Sequence, residues 1–559
     1  MKGFSIFIMT VVFVIGAFCH KESEREVADV VLLNGMVWTV DPAIPWAEGI
    51  ALKGNKILKV GSTSEIKGYI GERTKSIDLK GSFVLPGFID CHTHFLDGGF
   101  SLSSVQLGNA RTKDDFIARI GQKAQELGQG EWILRGNWDH QQFDPVELPR
   151  KEWIDAVTPD NPVCVNRHDG HMVLVNSLAL KLSGITKDSA VPEGGEIVKD
   201  SLTGEPTGIL KDAAMDLVMD HIPEPSLEDR LRAVEAGLAH AKSWGITSIH
   251  DMDYTSSFEV YENLLEQNKL TARLYVYIPI SDVELLSEHK LVSPLQSDVL
   301  RIAGLKGFVD GSLGSSTALF FDPYTDDPTK RGLLASDMFP EGIMERRLME
   351  ADRSGLQVAI HAIGDKANHM ILDIFEKVMR ANADRDRRWR IEHAQHLLPE
   401  DIERMKKLRV IASVQPYHAV DDGRWAEKKI GKQRAQYTYA FRSLLDEGVH
   451  LACGSDWTVA PLNPLTGIFA AVTRQTLDGR NPDGWIPDQK IKLEEAIKGY
   501  TLHAAYTEFS EHKKGSLEEG KLADLVVLDQ NLFEIPPEKI LETEVRMTIF
   551  NGRIIYEKQ

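Results

Sequence analysis

Short apolar runs separated by longer amphipathic stretches recur through the middle of this 559-residue chain. Runs at Ile246–Asp251, Ala272–Tyr277, Ala303–Val309, Leu356–His361, Arg388–His393, Val410–Val414 and Val449–Ser455 read as buried strands. Their near-continuous apolar character is that of parallel strands covered on both faces. Helical spacing of apolar positions at Leu227–Trp244, Arg346–Ser354, Asn368–Ala381 and Pro399–Lys407 separates several of them. An earlier stretch, Val84 to His94, adds another strand and brings the count to eight. Eight strands alternating with helices predict an α/β fold, a (β/α)8 TIM-like barrel.

Both ends of the chain have a different pattern. Val30–Leu33, a turn at Asn34-Gly35 and Met36–Val40 read as one hairpin; Gly49–Leu52 and Lys56–Gly61 around Gly54-Asn55 read as another. Ala523–Leu528 and Thr548–Tyr556 carry matching strand patterns at the far end. The expectation is a small β-sandwich built from residues 26–83 and 510–559, with the barrel at 84–509 between them. Between the first strand and the second the rhythm stalls for a domain's length of sequence. Residues from about 96 to 243, with a helix at Thr112–Leu127 and strand-like Trp132–Leu134 and Pro162–Asn166, are expected to form an inserted subdomain.

The first nineteen residues stand apart. Lys2 precedes an uncharged run from Gly3 to Cys19, shorter than a membrane span and the length of a signal-peptide core. Gly16-Ala17-Phe18-Cys19 resembles a bacterial lipobox, although Phe18 stands where a small residue is usual. Residues 1–19 are therefore expected to be a signal peptide, with the protein exported to the periplasm or tethered to a membrane through a lipidated Cys19. A formal net charge of -19 argues against nucleic acid as a partner. Four scattered cysteines give neither a disulfide framework nor a CxxC metal site.

The chemistry lies at the strand ends. His92 and His94, spaced i, i+2 at the end of the first strand, present both imidazoles on one face. With 18 histidines in the chain, one such pair is close to chance. The other strand ends supply Lys306, His361, His393 and Asp456. In (β/α)8 enzymes this is the catalytic face, and imidazole with carboxylate is the ligand set of a divalent, zinc-like ion.

The chain resembles the amidohydrolase superfamily, and within it the YtcJ-like and N-substituted formamide deformylase-like group. The resemblance rests on Pro86-Gly87-Phe88-Ile89-Asp90-Cys91-His92-Thr93-His94, Lys306 through Asp310-Gly311-Ser312, His361-Ala362-Ile363-Gly364-Asp365, Arg390-Ile391-Glu392-His393-Ala394-Gln395 and Gly454-Ser455-Asp456. In the insertion it includes Arg167-His168-Asp169-Gly170-His171. It implies that His92, His94 and Asp456 hold one ion and His361 and His393 a second, with Lys306 bridging both as a carbamate. An ammonium cannot ligate a cation, so a Lys306 that is not carboxylated lies off the metal, paired with Asp310. The resemblance further implies a metal-dependent hydrolase of a linear C–N bond, an N-substituted amide or formamide, with Asp456 as the proton-transferring residue. A deaminase of a ring or imine is the alternative, and a non-catalytic surface binding protein the third reading. His168, Asp169, His171, Asp310 and Ser312 are expected to contact a small-molecule substrate, although a turn at Asp169-Gly170 also accounts for the first three. The loop after the fourth strand, Ser312 onwards, has the length of a lid. One ion or two, zinc or another metal, and monomer or homo-oligomer stay open.

Overall fold

The computed structural model describes residues 26–252, 255–283 and 297–558. The leader expected over residues 1–19 lies outside them. Among the described residues no helix is long and apolar enough to cross a membrane.

Eight parallel strands form the barrel: β1 (Phe88–Thr93), β2 (Ile246–Asp251), β3 (Arg273–Pro279), β4 (Leu300–Phe308), β5 (Gln357–Ala362), β6 (Arg390–His393), β7 (Ile411–Val414) and β8 (Leu451–Cys453). Each pairs with its neighbour in sequence order. The ring closes between β8 and β1 at its carboxyl end. There the N–H of Asp456 donates to the His92 carbonyl (2.7 Å) and the N–H of His94 to the Trp457 carbonyl (2.7 Å). The Asp90 carboxylate accepts from the N–H of Ser455 at 2.8 Å. Closure and the catalytic face are thus made by the same residues. The covering helices follow their apolar stripes. The helix Leu227–Ser243 starts at Ser226, whose hydroxyl accepts from the N–H of Asp229, and buries Val234, Gly237, Leu238 and Ala241. The helix Asp365–Ala381 buries Ile371, Leu372, Phe375 and Val378.

The stretch expected as one strand from Val84 to His94 is two. Phe83–Pro86 pairs with Leu525–Leu528 and with Met36–Trp38 in a six-stranded sheet of the sandwich. Gly87 then turns the chain into β1. A Cβ at Gly87 would meet Thr247 Oγ1 at 2.3 Å, so the close approach of β1 to β2 needs a glycine here.

The second sheet of the sandwich has the order Lys56–Gly61, Gly49–Lys53, Val30–Leu33, Lys75–Asp78. The Gly54-Asn55 turn closes a hairpin as expected. The Asn34-Gly35 turn does not. Val30–Leu33 is flanked on both sides, by Gly49–Lys53 and Lys75–Asp78, so Met36–Trp38 crosses to the other sheet. Strands from both chain ends share the six-stranded sheet. Arg273 on β3 ties it to the barrel, donating to Asp524 at 2.8 Å and to Asn551 at 2.6 Å.

After β1 the chain forms a separate five-stranded sheet, Gly195–Lys199, Pro206–Asp212, Met172–Val175, Val163–Asn166 and Ile133–Leu134. It has its own apolar clusters, around Phe116, Trp138 and Trp153 on one face and Leu180, Leu210 and Val218 on the other.

Candidate metal centre

The carboxyl ends of β1, β4, β5, β6 and β8 gather all six expected metal-site residues around one centre, with His94 part-exposed and the other five buried. Asp456 Oδ1 lies 3.6 Å from His92 Nε2 and 3.4 Å from His94 Nε2. Asp456 Oδ2 lies 4.0 Å from His393 Nδ1. The rings of His92 and His393 are 5.1 Å apart and those of His361 and His393 4.5 Å. His92, His393 and Asp456 each offer one ligand atom within 4.8 Å of the others.

Two of these residues arrive by way of unusual backbone. His393 has φ 72° and Asp456 φ 61°, in the left-handed region that non-glycine residues seldom occupy. At His393 the turn breaks strand alternation, so that Glu392 and His393, adjacent in sequence, both reach the barrel axis. Such strain persists where the surroundings over-determine it, a pattern common at functional sites.

Hydrogen bonds to the far nitrogen orient the rings of His92, His393 and His361. His92 Nδ1 lies 2.5 Å from Glu392, a carboxylate gripped by Arg390, so Nδ1 carries the proton and Nε2 presents a lone pair. His393 Nδ1 donates to Gln415 Oε1 at 2.7 Å. His361 Nε2 donates to the Gly311 carbonyl at 3.2 Å, which leaves its Nδ1 free. Burial pushes His92, His361 and His393 well below the usual imidazole pKa, so all three are neutral donors of a lone pair.

Lys306 points into the same space, its Nζ 3.3 Å from His92 Nε2 and 4.7 Å from the Phe308 ring centre. Burial lowers its pKa to about 8. No pairing with Asp310 occurs. Asp310 is instead an internal anchor: its oxygens accept from the N–H groups of Leu319 (2.7 Å), Ile363 (2.9 Å) and Gly364 (2.8 Å). Asp310 thus engages three backbone donors at the base of the loop. The loop itself is packed rather than lid-like, with Ser312, Leu313, Thr317, Leu319 and Tyr324 buried.

The hairpin between Val163–Asn166 and Met172–Val175 carries Arg167 to His171 to the rim of the centre. It contains the expected turn, with Gly170 at φ 73°. His171 lies 5.2 Å from the His361 ring, tilted 55° to it, and shares a 2.7 Å hydrogen bond with Asp212. Asp169 pairs with Arg167 at 2.6 Å and accepts from the hydroxyls of Ser312 and Ser315, joining the insertion to the loop after β4. His168 lies 3.7 Å from Asp421.

Three further residues belong to this site and escape sequence reading. Glu392 and Gln415 hold the rings of His92 and His393. His418, on the helix Pro416–Asp422 that follows β7, places its ring 6.3 Å from His393 and its Nε2 4.0 Å from Asp456. The signal that could have found it is a proline at a helix start just beyond a barrel strand.

The donor set fits a divalent ion: neutral imidazoles with their lone pairs converging, and a carboxylate whose buried Oδ1 has no hydrogen-bond partner. The amidohydrolase family profile matches residues 75–556. Protein LONG AFTER FAR-RED 3 of Arabidopsis thaliana is 41% identical over 543 residues, covering 95% of this chain and 92% of that protein. N-substituted formamide deformylase of Arthrobacter pascens is 28% identical over 549 residues, covering 95% and 99%. The crystal structure of an uncharacterized metal-dependent hydrolase from Pyrococcus horikoshii OT3 superposes with a TM-score of 0.74 at 28% identity, over 91% of this chain and 99% of that one. With profile, relatives and donor set in agreement, the chain belongs to the amidohydrolase family and is a metal-dependent hydrolase of carbon–nitrogen bonds.

Proposed function

We propose that the enzyme hydrolyses the linear C–N bond of an N-substituted amide or formamide. His92, His94, His361, His393 and Asp456 would hold zinc, one ion or two, with Lys306 carboxylated between the two positions. The observation that carries this reading is Asp456, a buried carboxylate with one unpartnered oxygen, set against two imidazole nitrogens at the barrel mouth. The similarity to N-substituted formamide deformylase supports the substrate class.

When bound, the ion supplies Lewis acidity, polarising a carbonyl and making water acidic enough to attack near neutral pH. The chain's own residues do the rest. Asp456 accepts a proton from the attacking water and returns it to the departing nitrogen, so that a C–O bond forms as the C–N bond breaks. Its two oxygens face different sides of the centre, which suits a proton received on one side and delivered on the other. Glu392, Gln415 and the Gly311 carbonyl fix which nitrogen of His92, His393 and His361 faces inward. Lys306, with its pKa at about 8, has an amine fraction at neutral pH able to combine with carbon dioxide. His168 and His171 stand at the rim, where a substrate's N-substituent would lie.

The test is product analysis on purified, zinc-loaded protein. Formate and a free amine released from N-substituted formamides are the expected products. Ammonia from purines or pyrimidines, with none of these formamides cleaved, would refute the assignment in favour of a deaminase.

A further inference from the structure

The interior of a (β/α)8 barrel is ordinarily filled with layers of branched apolar side chains. Here its axis holds a string of buried ionic groups. At the top, His92 Nδ1 meets Glu392 Oε2 at 2.5 Å. Glu392 receives a two-pronged grip from Arg390, Nε to Oε1 at 2.7 Å and Nη2 to Oε2 at 3.0 Å. Arg390 also donates to His250 Nδ1 at 2.8 Å, the Tyr277 hydroxyl at 3.2 Å, the Cys91 carbonyl at 2.7 Å and the Ser413 hydroxyl at 2.7 Å. Its partners therefore come from β1, β2, β3, β6 and β7. Below it, His250 Nε2 lies 3.5 Å from Glu508, which pairs with Lys514 at 2.7 Å. Arg390, Glu392 and His250 are wholly inaccessible to solvent.

Stability does not explain this string. A buried ion pair roughly breaks even against well-packed apolar residues of the same volume, and often does worse. What the string does have is a direction: its upper end terminates on the imidazole of a ligand. A carboxylate on the outer nitrogen of a ligating histidine fixes the tautomer and raises the basicity of the inner nitrogen. The carboxylate must itself be held still, and a guanidinium fork with every nitrogen engaged does this.

We propose that Glu392 and Arg390 are positioning residues for the metal centre: Arg390 clamps Glu392, and Glu392 locks His92 with Nδ1 protonated and Nε2 aimed at Asp456 and Lys306. The inference rests on the reading of His92 as a ligand. It also gives the left-handed turn at His393 a reason. Strand alternation would allow only one of Glu392 and His393 to face the axis, and this arrangement needs both.

Zinc affinity, measured by competition with a chromophoric chelator on metal-stripped protein, tests it without recourse to turnover. His92→Ala, Glu392→Gln and the double variant Arg390→Gln with Glu392→Gln are compared with the parent, each with its thermal midpoint in the metal-free state. The double variant removes both buried charges together and so avoids a stranded guanidinium. We expect His92→Ala to lose most affinity, and Glu392→Gln and the double variant to weaken zinc binding ~10–100-fold. Parent affinity in either Glu392 variant, with His92→Ala impaired, overturns the positioning role alone. Parent affinity in His92→Ala overturns the ligand reading and this inference with it. Should the variants not fold, a crystal structure of the zinc-loaded parent decides: His92 coordinating through Nε2, with Nδ1 on Glu392, upholds the proposal, and coordination through Nδ1 overturns it.

Discussion

Replacing Asp456 with asparagine separates proton transfer from metal holding. Burial raises its pKa and the imidazole side chains around it lower it, and the balance falls below the usual carboxylate range. The carboxylate is therefore ionised at any pH where the enzyme works, and the substitution removes a base that is always available. The backbone tolerates the change. Asparagine accepts the left-handed φ of 61° as readily as aspartate, and the N–H bond to the His92 carbonyl at 2.7 Å is untouched. Side-chain volume and one oxygen ligand also survive. Loss of a general base costs ~10²–10⁴ in turnover, or about 3–5 kcal/mol of barrier. Metal content, set by the remaining imidazoles and the amide oxygen, should fall far less. Turnover of an N-substituted formamide and zinc content by plasma mass spectrometry are read on one preparation, before and after adding excess zinc. The expected result is a near-normal zinc content with turnover lowered by that factor and unmoved by added metal. Turnover that recovers at saturating zinc refutes the proton-transfer role and leaves Asp456 as an anchor.

Lys306→Ala should lose bound metal and most turnover, with partial rescue by short carboxylic acids that replace a bridging anion; full metal content and normal turnover would make the lysine structural. Burial and the neighbouring Asp421 raise Asp422 to about 7, so between pH ~4 and ~7 the folded protein holds a proton that the unfolded chain has released, and stability falls as pH rises through that window. Asp422→Asn should flatten this fall and stabilise the protein at pH ~8 relative to pH ~4, by at most ~4 kcal/mol, read from thermal denaturation at both values; equal shifts at the two would refute it. Gly87→Ala drives a methyl to within 2.3 Å of Thr247 Oγ1, beside a β-branched side chain with little rotamer freedom. It should lower the urea midpoint by the equivalent of ~1–3 kcal/mol, and an unchanged midpoint would show that β1 and β2 can separate without cost.

Strands β2 to β8 are legible in the sequence to within a few residues, because parallel strands covered on both faces leave continuous apolar runs. The metal-site residues are legible for the same reason: each stands where such a run ends. Glu392 is hidden by that very logic. It precedes His393 by one position, and alternation lets only one of the two face the axis; the left-handed turn at His393 brings His393 there as well. His418 is hidden because it sits on a short helix beyond β7, where no periodicity marks it. The anchoring role of Asp310 is hidden as well. The residue lies in a motif shared with the group the chain resembles, yet its carboxylate serves the N–H groups of Leu319, Ile363 and Gly364, which come together only in the fold. At Asn34-Gly35 the turn chemistry is local, whereas the choice of sheet depends on strands up to Lys75–Asp78, far along the chain.

The insertion has a consequence for how this enzyme can change. Its five-stranded sheet closes on apolar clusters of its own, and it meets the centre through a hairpin tip at which His168 and His171 reach the rim. The candidate metal-site residues stand at the ends of barrel strands, and His92 is held from below by Glu392 and Arg390, which lie on the barrel axis. On the proposed function, choice of substrate and capacity for hydrolysis would be lodged in different layers of the fold. A lineage can redraw the tip, residue by residue, while the hydrolytic apparatus stays intact, and so turn one scaffold towards many nitrogen substituents without first losing the reaction.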